Sequence, residues 1–79
     1  MDDLIGKSVH ILRLHDVTHF DGVGQVGPSI DNNTSNLKDK TMILTSIGVH
    51  LTATGPTPHN KRISVLIPYA MCKSIQLKA

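Results

Sequence analysis

The chain has no glutamate and no tryptophan, only three alanines, and one residue each of phenylalanine, tyrosine and cysteine. Each shortage excludes something. With no Glu and so little Ala, two of the strongest helix formers are all but missing, which excludes a mainly helical domain. Two aromatic rings are few for a single-strand nucleic-acid binder, which stacks bases on such side chains. A lone Cys72 cannot close an internal disulfide. It argues against the bridged scaffolds of small secreted domains and for a reducing, cytoplasmic setting. No apolar run approaches the ~20 residues that span a bilayer. The stretch MDDLIGKSV carries two acids and no apolar h-region, so it does not read as a signal peptide. Asn32-Asn33-Thr34 and Asn33-Thr34-Ser35 match the glycosylation pattern, but without a secretory route they read as loop chemistry.

What remains is rich in Ile, Val and Thr, whose branched side chains suit a pleated surface. The 79 residues (8.6 kDa) form a single domain, 1–79. Hydrophobic residues make up 39 % and charged residues 18 %, a balance that suits a compact globule rather than a disordered chain. A chain this short buries only about 60 % of the surface its unfolded form exposes, so association with a copy or a partner would add needed stability. The net charge of +2 and pI of about 8.9 are mildly basic, short of the footprint of a dedicated nucleic-acid binder.

Along the chain, KSVHILRL (7–14) reads as a buried strand, with Val9 and Ile11 facing one way and Leu12 and Leu14 the other. A second extended piece runs from Val17 to Val26, interrupted by Asp21-Gly22 and Gly24, which mark either a hairpin turn or a bulge. Residues 27–40 (GPSIDNNTSNLKDK) form a polar loop, rich in turn formers, that separates two halves of a sheet. Met42 to Thr45 and Val49 to Thr54 read as a hairpin turning at Ser46-Ile47-Gly48. The alternative is one long strand bent at Gly48. GPTPHN (55–60) is a second loop, and Arg62 to Ile67 the next strand. Pro68, lacking an amide hydrogen, closes that strand. Tyr69 to Cys72 then makes one tight 3₁₀ turn before a last strand, Ser74 to Leu77.

Strand, one-turn helix and short final strand is how several small barrels close. In this the last half of the chain is similar in architecture to the SH3-like and Sm-like folds. The expected fold is therefore all-β: a small six-stranded barrel or strongly bent antiparallel sheet, with a 3₁₀ turn before the last strand. Closing a sheet in this way hides edges that would otherwise aggregate. The expected strands are 8–14, 17–26, 41–45, 49–54, 62–67 and 74–77. The expected core is Val9, Ile11, Leu12, Phe20, Ile43, Leu51, Val65, Ile67, Ile75 and Leu77.

Chemistry is sparse. Five histidines invite a metal hypothesis, with His10, His15, His19 and Asp16 the closest set. Imidazole and carboxylate are zinc ligands, but the spacing matches no ligand pattern, and residues five apart on a strand face opposite sides. Solvated histidines are the plainer reading. GVGQVG places glycines at 22, 24 and 27 in the order of a dinucleotide fingerprint, yet Pro28 and the Asn-rich loop follow where a long helix is required. Cys72 has no flanking motif, and the aspartates form no acid–base pair. No cofactor is implied and no enzyme is expected.

Two binding readings remain. The first is a non-catalytic protein-interaction module that self-associates or binds a partner, with Ile30, Leu37, Ile47 and Tyr69 as apolar anchors on loops and turns. Its size and economy are those of small accessory proteins of bacteriophages and mobile elements. The second is a basic barrel that binds RNA or DNA phosphates through Arg13, Lys61, Arg62, Lys73 and Lys78 at the strand ends, with Lys7 beside the first strand.

Overall fold

The structure, a computed structural model, describes residues 2–20, 23–55 and 62–78, apart from the side chains of Asp2 and Leu12. The fold is all-β. After a 3₁₀ turn at Asp2–Leu4 come β1 (Val9–Leu14), β2 (Thr18–Phe20) and β3 (Gly24–Val26). A single helical turn, α1 (Ile30–Asn33), leads into β4 (Lys38–Leu44), β5 (Gly48–Thr54) and β6 (Arg62–Pro68). A second 3₁₀ turn, Tyr69–Met71, connects β6 to β7 (Cys72–Leu77).

The strands form three antiparallel sheets: β4-β5-β6, β1-β7 and the hairpin β2-β3. No closed sheet links them among the described residues. Backbone bonds nevertheless stitch the start of β1 to the outer edge of β4. Gly6 N donates to Leu44 O at 2.8 Å, Leu44 N donates to Lys7 O at 3.0 Å, and Ser8 bridges Ile43. No helix among the described residues is long and apolar enough to cross a membrane.

Among the described residues seven strands stand where six were expected, because 17–26 is a hairpin of two strands: Thr18 pairs with Val26 and Phe20 with Gly24. The stretch 42–54 is also a hairpin rather than one bent strand, with Leu44 opposite Val49. Thr45 N donates to Gly48 O, and the Thr45 hydroxyl accepts from Gly48 N at 3.1 Å, which closes the turn. Gly48 is required by close approach. It lies opposite Pro68, and a Cβ there would run into the carbonyl oxygen of Ile67.

One core joins the sheets. β6 alternates without fault, with Ile63, Val65 and Ile67 inward, and Val49, Leu51 and Ala53 of β5 meet it. Val9, Ile11, Phe20, Leu51, Val65 and Ile67 are buried as expected, and the side chain of Leu12 lies outside the described residues. Three expectations are corrected. Ile43 is only half-buried, because Met42 and Leu44 take the inward positions of β4 opposite Leu51 and Val49. Ile75 and Leu77 are 36 % and 50 % exposed, because among the described residues β7 has a neighbouring strand on one side only.

Leu14 lies three residues beyond Ile11, yet both are fully buried, which a regular period of two forbids. The register explains it. Ile11 faces Ile75 and Arg13 faces Ser74, so β1 carries an extra residue at 12; β7 then skips Lys73 before Leu14 meets Cys72. Paired irregularities of this kind re-aim side chains without ending the ladder.

The segment 27–40 is not a plain polar loop. Its turn α1 is closed by Thr34 N donating to Ile30 O at 3.0 Å, and Ile30 is fully buried. Thr34 is buried too, and its hydroxyl donates back to Ile30 O at 2.7 Å, so no polar group is left unmet. The loop's first part is tied to β1 by Leu14 N donating to Pro28 O at 2.9 Å.

Candidate functional site

The apolar anchors proposed from sequence split into two pairs. Ile30 and Leu37 are 0 % and 7 % exposed, so they are core residues and unavailable to a partner. Their polar neighbours misled the reading: α1 tucks Ile30 under β1, and the turn closed by Leu37 N donating to Thr34 O folds Leu37 inward. Ile47 is 61 % exposed at the tip of the β4–β5 hairpin. Tyr69 is half-buried against the core, and its hydroxyl donates to Thr45 O while its amide donates to Ile47 O at 3.3 Å. Ile47 and Tyr69 are therefore brought together, the second fixing the turn that presents the first.

Other apolar groups that sequence reasoning had placed inside, or had passed over, lie outside. Leu66 on β6 is 41 % exposed, and Ile75 and Leu77 on β7, Ile5 and Val17 are exposed as well. Among the described residues both strands, β6 and β7, have a neighbour on one side only. An open groove of about 320 Å³ runs beside β6, lined by Ser64, Val65 and Leu66 on one bank and by His19 and Phe20 of β2 on the other.

The basic residues do not gather on one face. Arg13 sits opposite Ser74, beside Lys73, at one end of the β1–β7 ribbon. Lys78 lies at the other end, where its amide donates to Ser8 O at 3.0 Å. Strand rise puts Lys73 and Lys78 roughly 16 Å apart. Arg62 starts β6 and donates from Nη1 to the Thr54 hydroxyl at 3.4 Å, and Lys61 lies outside the described residues. Lys78 instead shares a pocket with Lys40 and His10, two residues not paired with it in the sequence reading.

The histidines are likewise scattered. His10 is half-buried on β1, whereas His15, Asp16 and His19 are exposed on β2 and the approach to it. Among the described residues no three His, Cys, Asp or Glu side chains converge, so the set His10, His15, His19 and Asp16 is not assembled as a metal cage. The glycine string meets no phosphate-binding helix. Gly24 lies within β3, and the next helical turn spans four residues.

One pair was missed. His50 Nε2 and Ser64 Oγ lie 2.6 Å apart on the outer face of the β4-β5-β6 sheet. The two are 14 residues apart, and only the β5–β6 register makes them diagonal neighbours. A nucleophilic serine needs a base that is itself oriented by a third group. No acid meets the other ring nitrogen among the described residues, and the pair lies on an exposed sheet face. The arrangement is a surface hydrogen bond. Cys72 is half-buried, its thiol set toward Pro68 O at 3.5 Å, and burial raises its pKa from the usual 9.0, which disfavours the nucleophilic thiolate.

No protein-family model, no curated protein and no solved structure matches the chain.

Proposed function

We propose that the chain is a non-catalytic protein-interaction module that works by strand pairing along β6, and that its first partner is a second copy of itself. The observation that carries this reading is the one-sided pairing of β6 among the described residues, with Leu66 exposed beside it. A strand edge offers a row of backbone donors and acceptors, and an extended segment laid against it completes the ladder. The groove between β6 and β2 leaves room for such a segment. The exposed Ile75 and Leu77 on β7 add apolar area that a small domain gains by covering.

The same reading takes the three sheets as one bent, barrel-like wall. The bonds of residues 6–8 to β4 carry the order from β6 through β5 and β4 to β1 and β7, and the 3₁₀ turn at Tyr69–Met71 brings β6 round to β7. What stays open in such a wall is the free edge of β6, beside the groove that β2 flanks, and that edge is where a partner strand is accommodated.

Size-exclusion of untagged protein with mass detection tests the proposal. A peak at a defined multiple of 8.6 kDa that Leu66→Lys shifts to the monomer supports it. A monomer at every concentration overturns self-association. Absorbance at 260 nm is read in the same run. With no Trp and one Tyr the protein absorbs little in the ultraviolet, so a strong 260 nm signal that vanishes in high salt would favour nucleic-acid binding instead.

A further inference from the structure

A pocket of about 220 Å³ lies where the start of β1, the turn α1 and β4 meet, on the far side of β5 from the β6 edge. Lys40, Lys78 and His10 line it together with Asp31, Ser8 and Thr41. Its floor is apolar, provided by Val9 and Met42, which are 3 % and 7 % exposed. Lys7 and Lys78 line a more open groove that shares Ser8 with it, so a third ammonium stands at the rim.

Three features of the chain build this site. β4 carries a bulge: Lys38 faces Thr54 and Thr41 faces Thr52, so Asp39 and Lys40 together oppose a single residue. Asp39 takes the left-handed region there (φ 52°), and Lys40 is turned off the regular alternation of the strand. The Lys40 ammonium then donates to the Thr34 hydroxyl at 3.4 Å, which holds it next to α1, where Asp31 stands in the first turn. The β1–β7 ladder brings in Lys78, whose amide is fixed on Ser8 O.

The side chains of Lys78, His10 and Asp31 have no hydrogen-bond or ion-pair partner among the described residues. Two ammonium groups and an imidazole thus line one concavity with a single carboxylate, that of Asp31, and no ion pair joins them among the described residues. With two ammonium groups against one carboxylate the walled cavity keeps an excess of positive charge, which focuses the field and attracts an anion. Phosphate oxygens suit them, because charge-assisted bonds from ammonium groups are the strong ones. The volume corresponds to roughly seven waters, enough for a phosphate with a short body and too little for a dinucleotide. Asp31 sets the second requirement. A carboxylate accepts but does not donate, so the body must offer a donor, which a neutral hydroxyl supplies.

We infer that this pocket binds a phosphate monoester of a hydroxylated carbon chain or sugar. Lys40 and Lys78 hold the phosphate oxygens, and Asp31 accepts from a hydroxyl of the body. Two sources carry that chemistry: a free polyol or sugar phosphate, and the 5′-phosphorylated end of an RNA, whose first ribose keeps a free 2′-hydroxyl.

The test is an amide-resolved NMR titration of the full chain at constant ionic strength with glycerol 3-phosphate, inorganic phosphate, and RNA hexanucleotides bearing a 5′-phosphate or a 5′-hydroxyl. Saturable shifts confined to residues 8–10, 31, 40–42 and 78 are expected, with glycerol 3-phosphate bound more tightly than inorganic phosphate. Lys78→Gln, at an exposed position, is expected to weaken binding about tenfold, as is Lys40→Gln, while Lys73→Gln leaves it unchanged. Preference for glycerol 3-phosphate assigns the free ester, and preference for the 5′-phosphorylated strand assigns the nucleic-acid end. Shifts that never saturate overturn the site, as does a loss in Lys73→Gln equal to that in Lys78→Gln. Equal binding of the 5′-hydroxyl strand overturns the monoester assignment.

Discussion

The phenol of Tyr69 donates to the backbone carbonyl of Thr45, joining the 3₁₀ turn before the last strand to the hairpin between β4 and β5. The ring packs on the edge of the core while the hydroxyl fixes the turn. Tyr69→Phe keeps the ring and removes only the donor. It is expected to cost about 1 kcal/mol in chemical denaturation, and the exposed Ile47 amide should exchange faster. Unchanged stability and exchange would mean that the bond contributes nothing.

Gly48 meets the backbone of Ile67 and Pro68 where any side chain would collide. Gly48→Ala is expected to destabilise by about 1–3 kcal/mol through forced displacement of β6 from β5. Ser46→Ala, in the same turn and exposed, serves as the control and should stay within about 0.5 kcal/mol of the parent.

Leu51 is fully buried between Met42 and Val65 in the central strand of the three-stranded sheet, whereas Leu77 is half exposed on a strand with one neighbour. Leu51→Ala should cost about 2–5 kcal/mol and Leu77→Ala less than about 1 kcal/mol. Thermal melts of the two variants check the core. Equal losses would contradict it.

The thiol of Cys72 has its pKa raised by burial. Alkylation by iodoacetamide at pH 8 is therefore expected to be slower in the folded protein than in the urea-unfolded chain. The linkage has a definite sign. Below pH 9.0 the thiol is protonated in both states and has no effect on stability. Above it the unfolded chain gives up its proton first, so the native state binds more protons and stability falls as pH rises. Cys72→Ser should flatten that alkaline limb of a stability-against-pH curve.

The strands of the second half were legible because their alternation is clean. VHLTAT in β5 alternates in burial just as its residue types alternate, and ISVLIP in β6 does so except at Leu66, an apolar residue on the outer face. The Pro68 stop and the 3₁₀ turn after it were legible for a local reason as well, a missing amide hydrogen. What failed was non-local. Nothing near Ile30 or Leu37 tells that the core reaches them, since the strands that cover them lie elsewhere in the chain. The phase of β4 depends on the hairpin register, and the inward turn of Leu14 on an irregularity shared by β1 and β7. The pocket was invisible for the same reason: Lys40 and Lys78 meet only after a bulge and a ladder between the two ends of the fold have formed.

That ladder has a kinetic consequence. Val9 faces Leu77, and Ser8 accepts from Lys78, so nearly all of the described chain lies between partners in one ribbon. On the ribosome β1 leaves the tunnel early and waits, its Ile11 and Leu14 unsheltered, until β7 is synthesised. The hairpins β2-β3 and β4-β5 form from neighbours, but the step that joins the beginning to the end is the slow one. Holdase chaperones have their window on the nascent chain in that interval, which closes only once β7 has emerged to pair with β1.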